Sequence, residues 1–110
     1  MSKITTHVLD VARGRPASGV PIVLEIQRGG AFEEVGRGAT DEDGRLRTLA
    51  PNIERATYRI RFDTGAYFHA HGTEGFYPEV TVVFAVRDET SHYHVPLLLS
   101  PYGYSTYRGS

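Results

Sequence analysis

The sequence predicts an all-β protein, a two-sheet β-sandwich of about eight strands with one short helix, and three observations carry that prediction. Residues 20–27 and 57–63 alternate apolar and polar side chains with a period of two, as strands with one face on a core do. The runs between turns are short, β-branched and aromatic, and Gly, Pro, Asn and Asp punctuate them. Apolar residues recur at helical spacing only over 64–71, so no second helix is expected.

The elements follow in order. Residues 4–11 form the first strand, and Gly14-Arg15-Pro16-Ala17-Ser18-Gly19 is a turn segment. In the second strand Val20, Ile22, Leu24 and Ile26 face the core. Residues 32–39 form a weaker strand because glycines interrupt it. Thr40-Asp41-Glu42-Asp43-Gly44 is a tight turn with Gly44 at positive φ, and a short strand over 45–49 follows. In 57–63, Tyr58, Ile60 and Phe62 point one way and Arg59 and Arg61 the other. Residues 64–71 form the helix, and strands over 79–86, 91–99 and 102–107 complete the set.

Two of these strands break the in–out pattern. In 79–86, Val83 and Ala85 lie opposite the apolar face of Val80, Val82, Phe84 and Val86. In 91–99, Pro96 and Leu98 lie opposite Tyr93, Val95, Leu97 and Leu99. A sandwich strand normally shows water its outer face, so a second copy of the chain is expected to cover these surfaces.

Composition bounds the function. The 110 residues fit one domain, expected to span 1–110, and carry a formal net charge of −1 with both signs dispersed. No basic stripe suggests a nucleic-acid partner, and no polybasic patch suggests a membrane surface. The chain has no cysteine, which removes disulfides, thiolate metal sites and cysteine nucleophiles. Residues 1–15 lack the apolar core of a signal peptide, and the longest apolar run, 82–86, is too short to span a bilayer. A soluble, cytoplasmic protein is expected.

Several side chains carry possible chemistry. His92 and His94 are two apart on one strand and project from the same face. A histidine there can act as acid or base, because its ordinary pKa lies near 6.5. His-x-His spacing also suits zinc, with His7 as a third ligand, and structural histidines are the plain alternative; residue types leave all three open. His69 and His71 sit at the helix end, where they interact with the last carbonyls. Asp41-Glu42-Asp43-Gly44 lacks the full ligand ladder of a calcium loop. Arg45 and Arg47 share a face, and an arginine fork can hold a carbonyl-rich ligand or a developing oxyanion; a solvated surface pair is the alternative. No Gly-x-Ser-x-Gly elbow or phosphate-binding glycine loop is present. The sequence closes on a tyrosine-rich strand followed directly by Tyr107-Arg108-Gly109-Ser110, which suggests a segment with a fixed place rather than a frayed end.

With these residues in hand, a family resemblance emerges. Ile4-Thr5-Thr6-His7-Val8-Leu9-Asp10, the Asp41–Arg45 turn, His92-Tyr93-His94-Val95-Pro96-Leu97-Leu98-Leu99-Ser100-Pro101-Tyr102 and Tyr104-Ser105-Thr106-Tyr107-Arg108-Gly109-Ser110 resemble the transthyretin-like 5-hydroxyisourate hydrolases. The resemblance covers nearly the whole chain, with Gly103 standing where serine is common. It implies a transthyretin (prealbumin)-like sandwich assembled as a homotetramer, with active sites in a channel at the dimer–dimer interface. It implies hydrolysis of 5-hydroxyisourate to 2-oxo-4-hydroxy-4-carboxy-5-ureidoimidazoline in urate degradation, by histidine-assisted attack of water on a ring amide and with no cofactor. It maps the catalytic set onto His7, Arg45, His94 and Ser110, whose terminal carboxylate is expected to orient a histidine. Tyr107, Arg108, Gly109, His92 and Leu98 are expected to shape the substrate pocket. A ligand-carrying sandwich like transthyretin and a purely structural module are the competing readings; the two histidines and the closing tetrapeptide favour the enzyme.

Overall fold

The computed structural model describes residues 3–110. Nine strands and one helix follow in the order β1 (Ile4–Asp10), β2 (Arg15–Pro16), β3 (Pro21–Arg28), β4 (Ala31–Ala39), β5 (Arg45–Ala50), β6 (Ala56–Phe62), α1 (Thr64–Ala70), β7 (Val80–Val86), β8 (Tyr93–Ser100) and β9 (Gly103–Thr106). The eight expected strands are present with ends moved by one or two residues. The ninth, β2, arises where Arg15 and Pro16 pair with Asp10 and Leu9, inside the segment expected to be only a turn. The helix stops one residue early because His71 caps it, with its backbone N–H turned to the carbonyls of Phe68 and His69. At the other end the Asp63 carboxylate accepts from the Ala66 N–H at 3.0 Å, satisfying one donor that the first turn leaves unpaired.

The strands form two sheets. One runs β4-β3-β6-β7, all antiparallel. The other runs β2-β1-β8-β9, with β5 joining the same side of β1 as β2. Within it, β1 and β8 are parallel, in register from Ile4 opposite Tyr93 to Asp10 opposite Leu99. The alternation read from the sequence sets what lies between the sheets. Ile22, Leu24 and Ile26 of β3 and Ile60 and Phe62 of β6 face Ile4 and Val8 of β1 and Leu97 and Leu99 of β8, all essentially inaccessible to water. Each such side chain contributes on the order of 1.5–3 kcal/mol through burial.

The helix is tied to the second sheet by one buried polar contact. Tyr67 donates its hydroxyl to the Asp10 carboxylate at 2.7 Å, and the Arg13 N–H reaches the other carboxylate oxygen at 3.0 Å. Burial, then the hydrogen bond to Asp10 and its charge, pushes the Tyr67 hydroxyl up to about 12, so it remains a donor at any ordinary pH. Among the described residues no buried side-chain nitrogen or oxygen lacks a hydrogen-bond partner.

The two strands with apolar residues on both faces differ in the outcome: on β7 Val83 is 57% exposed and Ala85 is exposed, whereas on β8 Pro96 is buried and Leu98 half-buried. Tyr104 of β9 and Tyr107 after it are open to water. Among the described residues no strand pairs with the outer side of β7 or of β9.

Candidate active site

Ile4, Thr6 and Val8 of β1 are buried in the core direction, so Thr5, His7 and Leu9 project from the opposite face. Strand register then decides which side chains join them. His7 pairs with Arg45 of β5, and Thr5 pairs with His94 of β8. Cross-strand partners lie on the same face, so Thr5, His7, Arg45 and His94 converge there from three strands. A cleft of about 350 Å³ opens beside them, lined by Thr5, Thr6, Arg45, Arg47, His92, His94 and Ser110.

The turn 41–44 holds two of these groups in position. The Asp41 carboxylate accepts from the N–H of Asp43 at 2.9 Å and of Arg45 at 3.0 Å, and those bonds, Arg45 first, hold its carboxyl below the usual range. This use of Asp41 explains why the acidic run is a turn and not a calcium loop. Gly44 sits at φ +74°, and a Cβ there would stand 2.4 Å from the Val8 carbonyl oxygen, so only glycine lets the turn approach β1. The turn also presents the Asp43 carbonyl to His7 Nε2 at 2.9 Å. A carbonyl only accepts, so Nε2 keeps its hydrogen and Nδ1 is the nitrogen of His7 that gains and loses a proton.

His94 is fixed on two sides. Its Nδ1 lies 2.8 Å from the Thr5 hydroxyl, which also lies 3.1 Å from His92 Nε2. The closing segment adds an antiparallel bridge, in which the Gly109 N–H donates to the His94 carbonyl at 2.8 Å. Gly109 packs so closely that a Cβ would meet His94 Cδ2 at 2.6 Å. Ser110 is thereby carried into the cleft wall.

The electrostatics favour neutral imidazoles. Burial, then the Arg45 charge, lowers the pKa of His7 below the ordinary 6.5, partly offset by the Asp43 carbonyl and by Asp41. Burial, then Arg45, then the neighbouring His7 and His92, lowers His94 as well. Two uncharged imidazoles beside a fixed cation form a site that can take a proton from water and hold negative charge as it develops.

The expected residues divide into groups. His94, Arg45, His92 and Ser110 line the cleft, with His7 paired beside Arg45 and Gly109 packed on His94. His92 lies just outside β8, exposed, with its ring stacked at 6.4 Å from that of His94. Tyr107 and Arg108 line a separate cavity of about 140 Å³ between the sheets, where the Arg108 guanidinium lies 4.5 Å over the Tyr93 ring. Leu98 lines a shallow cleft with Val11, Tyr104 and Ser105. Arg47 reaches the cleft while pairing with Asp41 at 3.5 Å. Among the described residues no group of three or more His, Cys, Asp or Glu side chains is placed to hold a metal ion. His71 takes the structural role expected of it, donating through Nδ1 to the Tyr67 carbonyl at 3.0 Å, while His69 is exposed in the last turn of the helix. Thr5 is the member that sequence reading missed. A threonine in a strand carries no chemical signal of its own, and its partners lie 87 and 89 residues away.

Comparison with known proteins adds a second line of argument. The profile of the HIUase/Transthyretin family matches residues 4–109. The chain is 47% identical over 115 residues to the 5-hydroxyisourate hydrolase of Mus musculus, covering 99% of this chain and 96% of the mouse protein. It is 47% identical over 111 residues to a probable 5-hydroxyisourate hydrolase of Caenorhabditis elegans, covering 99% of this chain and 82% of the relative. Among solved structures, the 5-hydroxyisourate hydrolase of Klebsiella pneumoniae superposes with a TM-score of 0.85 at 34% identity, covering 97% of this chain and 98% of the other. Transthyretin from Sparus aurata superposes with a TM-score of 0.94 at 30% identity, covering 99% and 97%. The backbone therefore fits a hydrolase and a transthyretin alike, and the side chains of the cleft must decide between them.

Proposed function

The chain belongs to the HIUase/Transthyretin family, and on that premise we propose that it is a 5-hydroxyisourate hydrolase of urate degradation whose active site is the cleft bounded by Arg45, His94 and Ser110, with His7 beside it. It hydrolyses its substrate. The observation that carries the assignment to this cleft is the convergence of two neutral histidines and an arginine from β1, β8 and β5 on one sheet face. A carrier needs a complementary cavity and has no use for a proton acceptor whose pKa is tuned beside a cation.

The chemistry follows from the hydrogen bonds. With Nε2 engaged by the Asp43 carbonyl, His7 acts through Nδ1 as the general base. It takes a proton from water as the water oxygen bonds to the carbonyl carbon of the ring amide. Arg45 lies opposite His7 and stabilises the charge that builds on that carbonyl oxygen. When the carbon–nitrogen bond breaks, the imidazolium of His7 hands that proton on to the departing ring nitrogen, which the ring N–H of His94 holds by a hydrogen bond, and both imidazoles end neutral as they began. The chain's own side chains supply base, acid and oxyanion partner, so the reading needs no cofactor.

Gly109 and Ser110 form one wall of the cleft in this reading, and Arg108 anchors that wall by stacking over Tyr93. Leu98 and Tyr107 lie off the cleft of a single chain. We assign them to the surface over which further copies close the site, consistent with a homotetramer whose sites lie between dimers. The exposed apolar groups of β7 and β9 support that assembly.

The test is the pH dependence of catalysed 5-hydroxyisourate loss, followed by its ultraviolet absorbance. Both histidines are held below the ordinary value of 6.5, so both are neutral at pH 7 and become protonated only as the pH falls further. The expected kcat/KM is therefore flat near neutrality and declines on the acid side, with a midpoint below 6.5. A profile without an acid limb across about pH 5 to 8 would remove histidine as the base.

A further inference from the structure

We propose that Thr5 is a positioning residue whose single hydroxyl hydrogen sets the tautomers of His94 and His92 and leaves the Nε2–H of His94 directed to the substrate. The proposal deepens the hydrolase reading and rests on it.

Thr5 is 8% exposed, and its hydroxyl oxygen stands between His94 Nδ1 at 2.8 Å and His92 Nε2 at 3.1 Å. A hydroxyl has one hydrogen to give and lone pairs to receive. When both rings are neutral, it can donate to only one of them and must accept from the other. The arrangement proposed is the one in which Thr5 donates to the nearer and more buried ring, His94 at Nδ1, and receives the Nε2–H of the exposed His92. A neutral His94 whose Nδ1 accepts must carry its hydrogen on Nε2. No protein hydrogen bond among the described residues engages that nitrogen, and the ring itself lines the cleft. Gly109, packed against Cδ2, restrains the ring against turning over.

This assignment separates the two catalytic histidines. The Asp43 carbonyl makes His7 bare at Nδ1, which suits a base; Thr5 makes His94 protonated at Nε2, which suits the donor to the leaving nitrogen.

The test pairs Thr5→Val, which keeps the branched shape and loses the hydroxyl, with Thr5→Ser, which keeps the hydroxyl. Nitrogen-15 NMR of the imidazoles in the wild-type protein is expected to find His94 protonated at Nε2 and not at Nδ1. In Thr5→Val that signal is expected to move toward a mixture of tautomers, with kcat lowered about tenfold and KM little changed, the size of effect expected from one orienting hydrogen bond. Thr5→Ser is expected to restore both. Wild-type His94 protonated at Nδ1, or wild-type kcat in Thr5→Val, would overturn the proposal. A wild-type protein inert toward 5-hydroxyisourate would instead sink the hydrolase reading, while the NMR result still decides the tautomer.

Discussion

Replacing either His7 or His94 with Asn is expected to lower kcat by about 10²–10⁴, the usual worth of a positioned acid or base. Asparagine stays polar and removes the proton exchange. In His7→Asn the shorter side chain gives up the bond from Nε2 to the Asp43 carbonyl, but the Asp41 carboxylate still holds the N–H groups of Asp43 and Arg45, so the turn 41–44 and Arg45 should keep their places. In His94→Asn the backbone bridge to Gly109 persists, because it uses the His94 carbonyl. Both variants are half-buried surface changes away from the core cluster, so circular dichroism should report a native fold. The pH profiles should separate the two roles: loss of the base removes the acid limb that His7 produces, whereas loss of the donor leaves it. Full turnover in both variants would contradict the assignment.

Gly109→Ala is expected to lower kcat/KM by about 10²-fold while leaving the sandwich intact. An added Cβ would stand 2.6 Å from His94 Cδ2 and 3.2 Å from Cγ. Ordinary carbon contacts begin near 3.4 Å, so the ring must shift by most of an ångström or the tail must lift away. Displacement of a reacting group on that scale costs on the order of 10² in rate. Stability should change little, because Gly109 and its neighbours lie at the surface and the core between the sheets does not include them. The comparison to make is Gly103→Ala, where the nearest atom to a new Cβ is the Ser100 hydroxyl oxygen at 3.7 Å. That variant should retain activity. Equal activity in both would assign Tyr107-Arg108-Gly109-Ser110 to packing alone.

The legible parts of the fold are those in which a local pattern records burial. Ile22, Leu24 and Ile26 alternate with polar or half-buried neighbours because β3 lies with one face on the core, and the same holds for Tyr58, Ile60 and Phe62. Gly44 was legible because a tight turn beside β1 needs positive φ. The two-residue β2 was not, since Arg15 and Pro16 are exposed and are held only by pairing with β1.

The site divides in the same way. His7, Arg45 and His94 stood out by residue type, and their motifs supplied the grouping, whereas the contacts among them depend on register between strands far apart in the chain. Thr5 becomes informative only once β1 and β8 lie parallel with Thr5 opposite His94. Tyr107, Arg108 and Leu98 were grouped with the site through the family resemblance. Leu98 lies on the His94 face of β8 but four residues farther along, beside Val11 and Tyr104, whereas Tyr107 and Arg108 follow β9 and line the cavity against Tyr93.

The most direct measurement is the initial rate of loss of freshly generated 5-hydroxyisourate on adding the wild-type protein at neutral pH, against buffer alone. Two uncharged histidines beside Arg45 in an accessible cleft predict decay far faster than buffer, proportional to protein concentration and saturable in substrate. Decay no faster than buffer would contradict the account and leave a ligand-binding sandwich in its place.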